Sequence, residues 1–281
     1  MKYTVTGGTG FIGTELVKKL LSLGHSIIVA DIREPKDSAL KQYFKFCDIT
    51  DPFQVQEVIK GQDIVLHLAA NPDPGLAEKN PRWDLKINVE GTLNVIDACK
   101  EHKVRMIFTS SAAVVYAPLS CYAISKRTAE KYILRNVKKG LDASILRYNN
   151  VYGPTQGPGY VIPDFILKLK ENPHKIQIRG TGLDLRDFVF IEDIVEATIL
   201  VAEKGESGQI YEIGTGNQIT MIELAKIMGK VINEIEPQVE PAAYIKEWVR
   251  EEISQDLDPI RELGWSPRYN IEAGIKKLLG K

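Results

Sequence analysis

Tyr122 and Lys126 stand four residues apart in the run Tyr-Ala-Ile-Ser-Lys. On a helix, that spacing puts both side chains on one face. Together they could move a proton. A phenol with a pKa near about 10 is a poor base at neutral pH, but a close ammonium favours its phenolate. Lowering the phenol by ~3 units asks for about 4 kcal/mol, within reach of two close positive charges in a partly dry cleft. The same spacing occurs on many helices without catalytic meaning. Here it follows a β-prone run ending in Thr109-Ser110-Ser111, where a hydroxyl partner for a substrate hydroxyl belongs.

A second constellation lies near the start. Thr6-Gly7-Gly8-Thr9-Gly10-Phe11-Ile12-Gly13 spaces Gly7, Gly10 and Gly13 three apart, after the β-prone run Tyr3-Thr4-Val5. Leu16, Val17, Leu20 and Leu21 then recur at helical spacing, with Gly24 placed to stop the helix. A strand, a glycine turn and a helix N-terminus form a cradle for a pyrophosphate: backbone N–H groups and the positive helix end meet the charge, and glycines permit close approach. Asp31 lies 18 residues past Gly13, at the end of a second strand. That is where an acid accepts bonds from the adenosine ribose hydroxyls. An acid there favours NAD over NADP, although Arg33 in the same loop could receive the extra phosphate of NADP. An oxidised nicotinamide would be the second positive charge beside Tyr122. Asp48, followed by Ile49, ends a third strand; it would lie beside the adenine or cap a turn, and the sequence serves both readings.

The elements that must hold these residues alternate. Strands are expected at 26–30, 44–46, 63–68, 106–109 and 144–146, and helices at about 53–60, 88–102 and 122–137. Strands separated by helices of this length imply right-handed crossovers in a parallel sheet, with ligands beyond its carboxyl ends. The expected fold class is α/β: a Rossmann-type doubly wound parallel sheet with a smaller α/β substrate-binding lobe. Residues 1–153 would form the NAD-binding domain, with 187–204 returning to it. Residues 154–186 and 205–281 would form the smaller lobe, packed over the sheet's carboxyl edge.

The 281 residues carry a formal net charge of −1, which gives no reason to expect nucleic acid or a membrane surface as partner. No apolar run approaches ~20 residues and no signal-peptide layout opens the chain, so a soluble cytoplasmic protein is expected. Cys47, Cys99 and Cys121 are scattered without a C-x-x-C pair, and the four histidines lack paired spacing, so no metal site is expected.

With these residues in view, the chain resembles the extended short-chain dehydrogenase/reductases, in the branch of NAD-dependent nucleotide-sugar epimerases and dehydratases. The resemblance covers nearly the whole length. It rests on Thr6 to Gly13, His67-Leu68-Ala69-Ala70, Asn88-Val89-Glu90-Gly91-Thr92, Ser110-Ser111-Ala112-Ala113, and Tyr122 with Lys126. Further blocks are Arg147-Tyr148-Asn149-Asn150-Val151-Tyr152-Gly153-Pro154, Arg186-Asp187-Phe188-Val189, Tyr211 to Gly216, and Leu263-Gly264-Trp265. The resemblance implies that Tyr122 is the general base, that Lys126 orients it and holds the nicotinamide ribose, and that Ser111 bonds the reacting hydroxyl, a role Ser110 could share. Leu68, Ala69, Ala70, Asn88 and the peptide after Tyr148 would line the NAD site. Asn150 and Arg186 match positions that bind a substrate diphosphate, which an amide donor and a bidentate guanidinium suit. Lys246 and Arg250 are weaker candidates for nucleotide contacts.

Two departures bear on the reaction. Dehydratases of this branch follow the hydroxyl residue with an Asp-Glu pair that moves protons on the sugar; Ala112 and Ala113 occupy those places. That speaks against 4,6-dehydration, and against decarboxylation needing the acid. The segment from Ser111 to Tyr122 is also short, 11 residues. The implied activity is epimerisation at C4 of a nucleotide sugar, UDP-glucose or UDP-galactose, through a transient 4-keto sugar with NAD retained. The rivals are a net reductase or dehydrogenase of the same family and a dinucleotide-binding protein without turnover. A homodimer is implied through the helices at 88–102 and 122–137, with Leu93, Val95, Ile96, Ile133 and Leu134 as their apolar surface.

Overall fold

The computed structural model describes every residue except Pro118 and 243–254. Its strands are β1 (Lys2–Thr6), β2 (Ser26–Asp31), β3 (Phe44–Phe46), β4 (Ile64–His67), β5 (Arg105–Ser111), β6 (Ala143–Tyr148), β7 (Asn150–Tyr152), β8 (Lys175–Ile178), β9 (Leu185–Phe190), β10 (Ile210–Ile213), β11 (Gln218–Thr220) and β12 (Gln238–Pro241). Seven of them form one sheet in the order β3-β2-β1-β4-β5-β6-β10, and β1 to β6 pair in parallel throughout. The chain winds outward from β1 to β3, crosses back to β4, and winds outward again. This is the doubly wound α/β fold that the sequence implies, with its switch point between β1 and β4.

All four residues of β4 are buried, as expected for a parallel strand covered on both faces. Helix Phe11–Ser22 buries Leu16, Val17 and Leu20 completely. Helices Pro52–Ile59, Thr92–His102 and Cys121–Val137 bury Val55, Val58, Ile59, Val95, Ile96, Cys99, Ala129 and Ile133 against Val65, Met106, Phe108 and Ile145 of the sheet. Each valine and isoleucine among them contributes about 1.5–3 kcal/mol relative to exposure. Val95, Ile96 and Ile133 are therefore core rather than surface for a partner, and Leu93 and Leu134 pack partly buried on the same cluster. The exposed apolar residues of the Cys121–Val137 helix are Ile124 and Tyr132.

One helix starts earlier than its hydrophobic periodicity suggests. Asn80-Pro81 opens a helix at Pro81–Leu85, and a π-helical turn at Lys86–Gly91 joins it to Thr92–His102. Proline suits a first helical position because its missing N–H has no intrahelical acceptor there anyway. Single π turns of this kind are found often at functional sites; here the turn carries Asn88.

The chain divides into two compact units. One comprises Met1–Tyr148, Val195–Glu212 and Asp258–Trp265, and holds the seven-stranded sheet. The other comprises Asn149–Ile194, Ile213–Leu257 and Ser266–Lys281. In the latter, β9 pairs in parallel with β7 and antiparallel with β11, while β8 pairs in parallel with β12. Helix Met221–Asn233 begins on a capping box in which Thr220 and Glu223 bond each other's backbone N–H groups. Among the described residues, no helix is long and apolar enough to cross a membrane.

Candidate active site

The glycine loop leaves β1 at the switch point. Gly7 donates its N–H to the carbonyl of Ala30 (2.9 Å) and accepts from Gly10 N (3.0 Å), so the turn is closed by backbone alone. Gly7 has φ +68°, and a Cβ there would lie 2.7 Å from Ala69 N. A Cβ on Gly13 would overlap the Gly7 carbonyl oxygen. Loop and helix thus approach as only glycines allow. Gly10 N-caps helix Phe11–Ser22 without a side-chain bond, and the N–H groups of Phe11, Ile12 and Gly13 open its first turn, where no intrahelical acceptors exist. A pyrophosphate fits such a cradle. Asp31 closes β2, only 7% exposed, and its carboxylate accepts from Thr9 N (3.2 Å) and Arg33 N (3.2 Å). It is anchored to the loop and retains lone pairs for further donors, while the Arg33 side chain is exposed.

Asp48 is engaged locally: its Oδ1 accepts from Thr50 N and Thr50 Oγ1, both at 2.9 Å. Asp48 thus caps its own turn, and a place beside the adenine is compatible with these bonds. Ile49 is buried against Gly91, and its carbonyl accepts from Asn94 Nδ2 (2.9 Å). Leu68, Ala69 and Ala70 leave β4 half-buried beside the glycine loop, with Leu68 N donating to Thr6 O (3.1 Å).

Beneath these loops runs a directed hydrogen-bond chain. Burial pushes the His67 imidazole down to about 3, with the Lys126 charge adding to the effect, so the ring is neutral. Thr92 Oγ1 donates to Asn88 O (2.7 Å) and therefore accepts from His67 Nε2–H (3.1 Å). His67 Nδ1 then accepts from Thr6 Oγ1 (2.7 Å), which itself accepts from Ala69 N (3.3 Å). The β1 end, the β4 end and the π turn are tied together by one tautomer of one ring.

Tyr122 and Lys126 share the helix Cys121–Val137, as their spacing predicts. Two side chains fix the start of that helix: Ser120 Oγ accepts from Ala123 N (3.2 Å), and Glu78 Oε1 accepts from Cys121 N (2.8 Å). Tyr122 is half-buried. Lys126 is 3% exposed; its Nζ donates to Thr109 O (2.7 Å) and lies 4.5 Å from the centre of the Phe108 ring. Burial lowers its ammonium to about 8, opposed by the Glu130 and Asp84 carboxylates. Glu130 is buried and held by Arg147 through two bonds, of 2.9 and 2.8 Å. Ser111 is half-buried and its Oγ accepts from Ala113 N (3.2 Å), which leaves its own proton to donate. Ser110 is 4% exposed and its hydroxyl has no partner among the described residues. Ser111 is thus the more accessible of the two hydroxyls. Ala112 and Ala113 are buried. Tyr148 turns its hydroxyl into the core, 2.7 Å from Thr198 Oγ1, and its carbonyl accepts from Ala112 N (2.9 Å).

Asn150 and Arg186 belong to the other unit. Asn150 Nδ2 donates to Asp187 O (2.9 Å), and Arg186 lies 3.8 Å from the Asp184 carboxylate. Lys246 and Arg250 lie outside the described residues. Sequence reasoning did not single out Asp84, Glu78, Glu130 or the roles of His67 and Thr92. Asp84 and Asn88 are spaced i, i+4, a signal that becomes readable once Pro81 is taken as the helix start.

The profile of the NAD dependent epimerase/dehydratase family matches residues 3–214. The chain is 33% identical to a putative UDP-glucose 4-epimerase of Methanocaldococcus jannaschii, over 98% of this chain and 96% of that protein. It is 32% identical to a dTDP-D-glucose 4,6-dehydratase of Mus musculus, over 97% and 86% respectively. Among solved structures, a Thermotoga maritima UDP-glucose 4-epimerase with UDP-glucose superposes with a TM-score of 0.88 at 30% identity, covering 100% of this chain and 98% of that one. Identities of 33% and 32% do not separate epimerase from dehydratase. Glycine cradle, anchored acid, tyrosine–lysine helix and family match agree: the chain belongs to the NAD dependent epimerase/dehydratase family of nucleotide-sugar enzymes, and NAD is its cofactor.

Proposed function

We propose that this chain is a nucleotide-sugar 4-epimerase that interconverts UDP-glucose and UDP-galactose. The observation that carries the reading is the combination of Tyr122, Lys126 and an accessible Ser111 with Ala112 and Ala113, which cannot exchange protons with a sugar. In this reading Tyr122, as phenolate, takes the proton of the C4 hydroxyl, and Ser111 holds that hydroxyl by donating to its oxygen. Lys126 favours the phenolate by its charge and bonds the nicotinamide ribose. NAD, when bound, supplies the two-electron redox step at C4. The reaction would have no net redox change, so no added reductant or oxidant would be consumed, and the 4-keto sugar would need only to present its other face. Tyr122 then returns the proton. A second acid–base pair has no part in such a cycle, whereas loss of water from the sugar requires one.

The remaining assignments follow the same reading. Gly7, Gly10, Phe11, Ile12 and Gly13 would cradle the pyrophosphate, Asp31 would accept from the adenosine ribose, and Asp48 and Ile49 would border the adenine. Leu68, Ala69, Ala70, Asn88 and the backbone at Tyr148 would line the nicotinamide half. Asn150 and Arg186 would take the substrate diphosphate, giving the second unit the substrate-binding role. A homodimer is part of the proposal, with Ile124 and Tyr132 as the exposed apolar face of its helix.

The test is incubation of purified protein with UDP-galactose and no added cofactor, with UDP-glucose followed by chromatography. Repeated turnover supports an epimerase that keeps its NAD. Product in proportion to added reduced or oxidised cofactor would replace the reading with a net oxidoreductase.

A further inference from the structure

We propose that Asp84 is a positioning residue for the Tyr122–Lys126 pair, fixing Asn88 and through it Ser125 and the Tyr122 backbone, and placing a negative charge near the Lys126 ammonium. The inference rests on the reading of Tyr122 and Lys126 as the proton-transfer pair.

Asp84 is 1% exposed. Its Oδ1 accepts from Nδ2 of Asn71 (2.8 Å) and Nδ2 of Asn88 (2.9 Å). A carboxylate only accepts, so it selects one of the two orientations of each amide; the flipped amide would set oxygen against oxygen. In the selected orientation Asn88 Oδ1 accepts from Asn71 N (2.8 Å), and Asn88 Nδ2 also reaches Ser125 Oγ (3.0 Å). Ser125 Oγ then donates to Tyr122 O (2.9 Å). An unbroken path thus leads from Asp84 to the residue expected to move the proton.

The second oxygen gives the path its meaning. Asp84 Oδ2 is buried and makes no hydrogen bond among the described residues. An unsatisfied buried acceptor is costly to the folded state. Asparagine at this position would offer the same single acceptor to Asn71 and Asn88 without burying a charge, so charge is what aspartate adds. The charged and titratable groups around Lys126 show where it acts. Glu130 is on the same helix, but its charge is shared with Arg147 of β6, which also reaches Glu212 of β10 (3.4 Å). His67 of β4 is neutral, β5 offers only the Thr109 carbonyl and the Phe108 ring, and the Cys121 thiol is held protonated chiefly by its bond to Glu78. Asp84 has no ion-pair partner of its own among the described residues, and its field favours the ammonium, second to that of Glu130.

The experiment follows Lys126 directly, by NMR titration of its labelled side chain in wild type, Asp84→Asn and Ser125→Ala. The signal is identified by its loss in Lys126→Arg. Turnover of UDP-galactose is measured across pH in parallel. In Asp84→Asn the Lys126 midpoint and the alkaline limb of kcat are expected to move together to lower pH. Activity should fall about tenfold at about pH 9 and less than about threefold at about pH 6.5. Ser125→Ala should lower kcat about three- to tenfold at every pH and leave the Lys126 midpoint in place. An unmoved Lys126 midpoint in Asp84→Asn overturns the charge, and an unchanged kcat in Ser125→Ala overturns the path whatever the fate of Asp84→Asn. If the protein turned over no UDP-galactose, the 4-epimerase reading would fail, while the Lys126 titration would still decide the role of Asp84.

Discussion

At the end of β1, Gly7 and Gly13 sit where a single added carbon would overlap backbone atoms. At the end of β5, Ala112 and Ala113 are buried, yet the feature that matters there is the chemistry they lack. The first region is defined by excluded atoms, the second by absent functional groups. A change in the first is resisted by packing and disturbs the cofactor cradle as a whole. A change in the second would, in the proposed reading, leave the sheet intact and alter which reaction the site can run. In the proposed reading one cradle is compatible with the family's range of reactions: cofactor binding would reside at the switch point of the sheet, and proton handling with Tyr122, Lys126 and the residues that follow β5.

The sharpest way to separate the two regions is Tyr122→Phe. It removes one hydroxyl from the Cys121–Val137 helix and leaves the glycine loop's sequence unchanged, so kcat should fall about a thousandfold or more. NAD should remain bound and the unfolding free energy should stay within about 1 kcal/mol of wild type. Steady-state kinetics, the cofactor content of the purified variant and urea unfolding check the three parts. Loss of NAD from this variant would show that cradle and catalytic helix are not independent.

Gly13→Ala acts on the other side of the comparison. Its Cβ must push against the Gly7 carbonyl, so stability should drop by about 1–3 kcal/mol. The displaced loop should bind NAD about ten- to a hundredfold more weakly, as calorimetry would read it. Unchanged binding would mean that the loop yields more readily than its packing implies.

A smaller effect comes from His67, which ties the end of β1 to the π turn. The folded protein holds it neutral down to about 3, whereas its ordinary value is 6.5. As pH falls through about 6.5 the unfolded chain takes up a proton and the native protein does not. The stability from this group is therefore fully present above about 6.5 and is lost toward about 3, at up to about 1.4 kcal/mol per pH unit. Urea midpoints at about pH 7 and about pH 5 should differ more in wild type than in His67→Gln. Equal differences would mean that the ring is protonated or solvated.

The same contrast decides what could be read before any coordinates. The glycine loop, Asp31 and the Tyr122–Lys126 pair were legible because their meaning lies in short spacings, governed by one turn, one strand end and one helix face. The doubly wound sheet was legible because apolar runs and helical periods alternate along the chain. The supporting network was not, because its bonds join residues distant in sequence: His67 meets Thr6 across 61 positions, and Glu78 meets Cys121 across 43. Val95, Ile96 and Ile133 showed the other limit, since an apolar helix face reads the same whether it packs on a core or on a partner. Asp84 stayed hidden for a third reason. Its helix was expected to begin at Asn88, and the π turn shifts the register between the two segments it joins.

The central claim is that a proton moves only at the C4 hydroxyl, that hydride leaves and returns at C4 itself, and that the reaction ends where its redox balance began. The most direct measurement is mass spectrometry and proton NMR of the product formed from UDP-galactose carrying deuterium at C4, with no cofactor added. The account predicts UDP-glucose that keeps its deuterium at C4. A product that has lost water, or one whose C4 deuterium has been replaced by hydrogen, would contradict it.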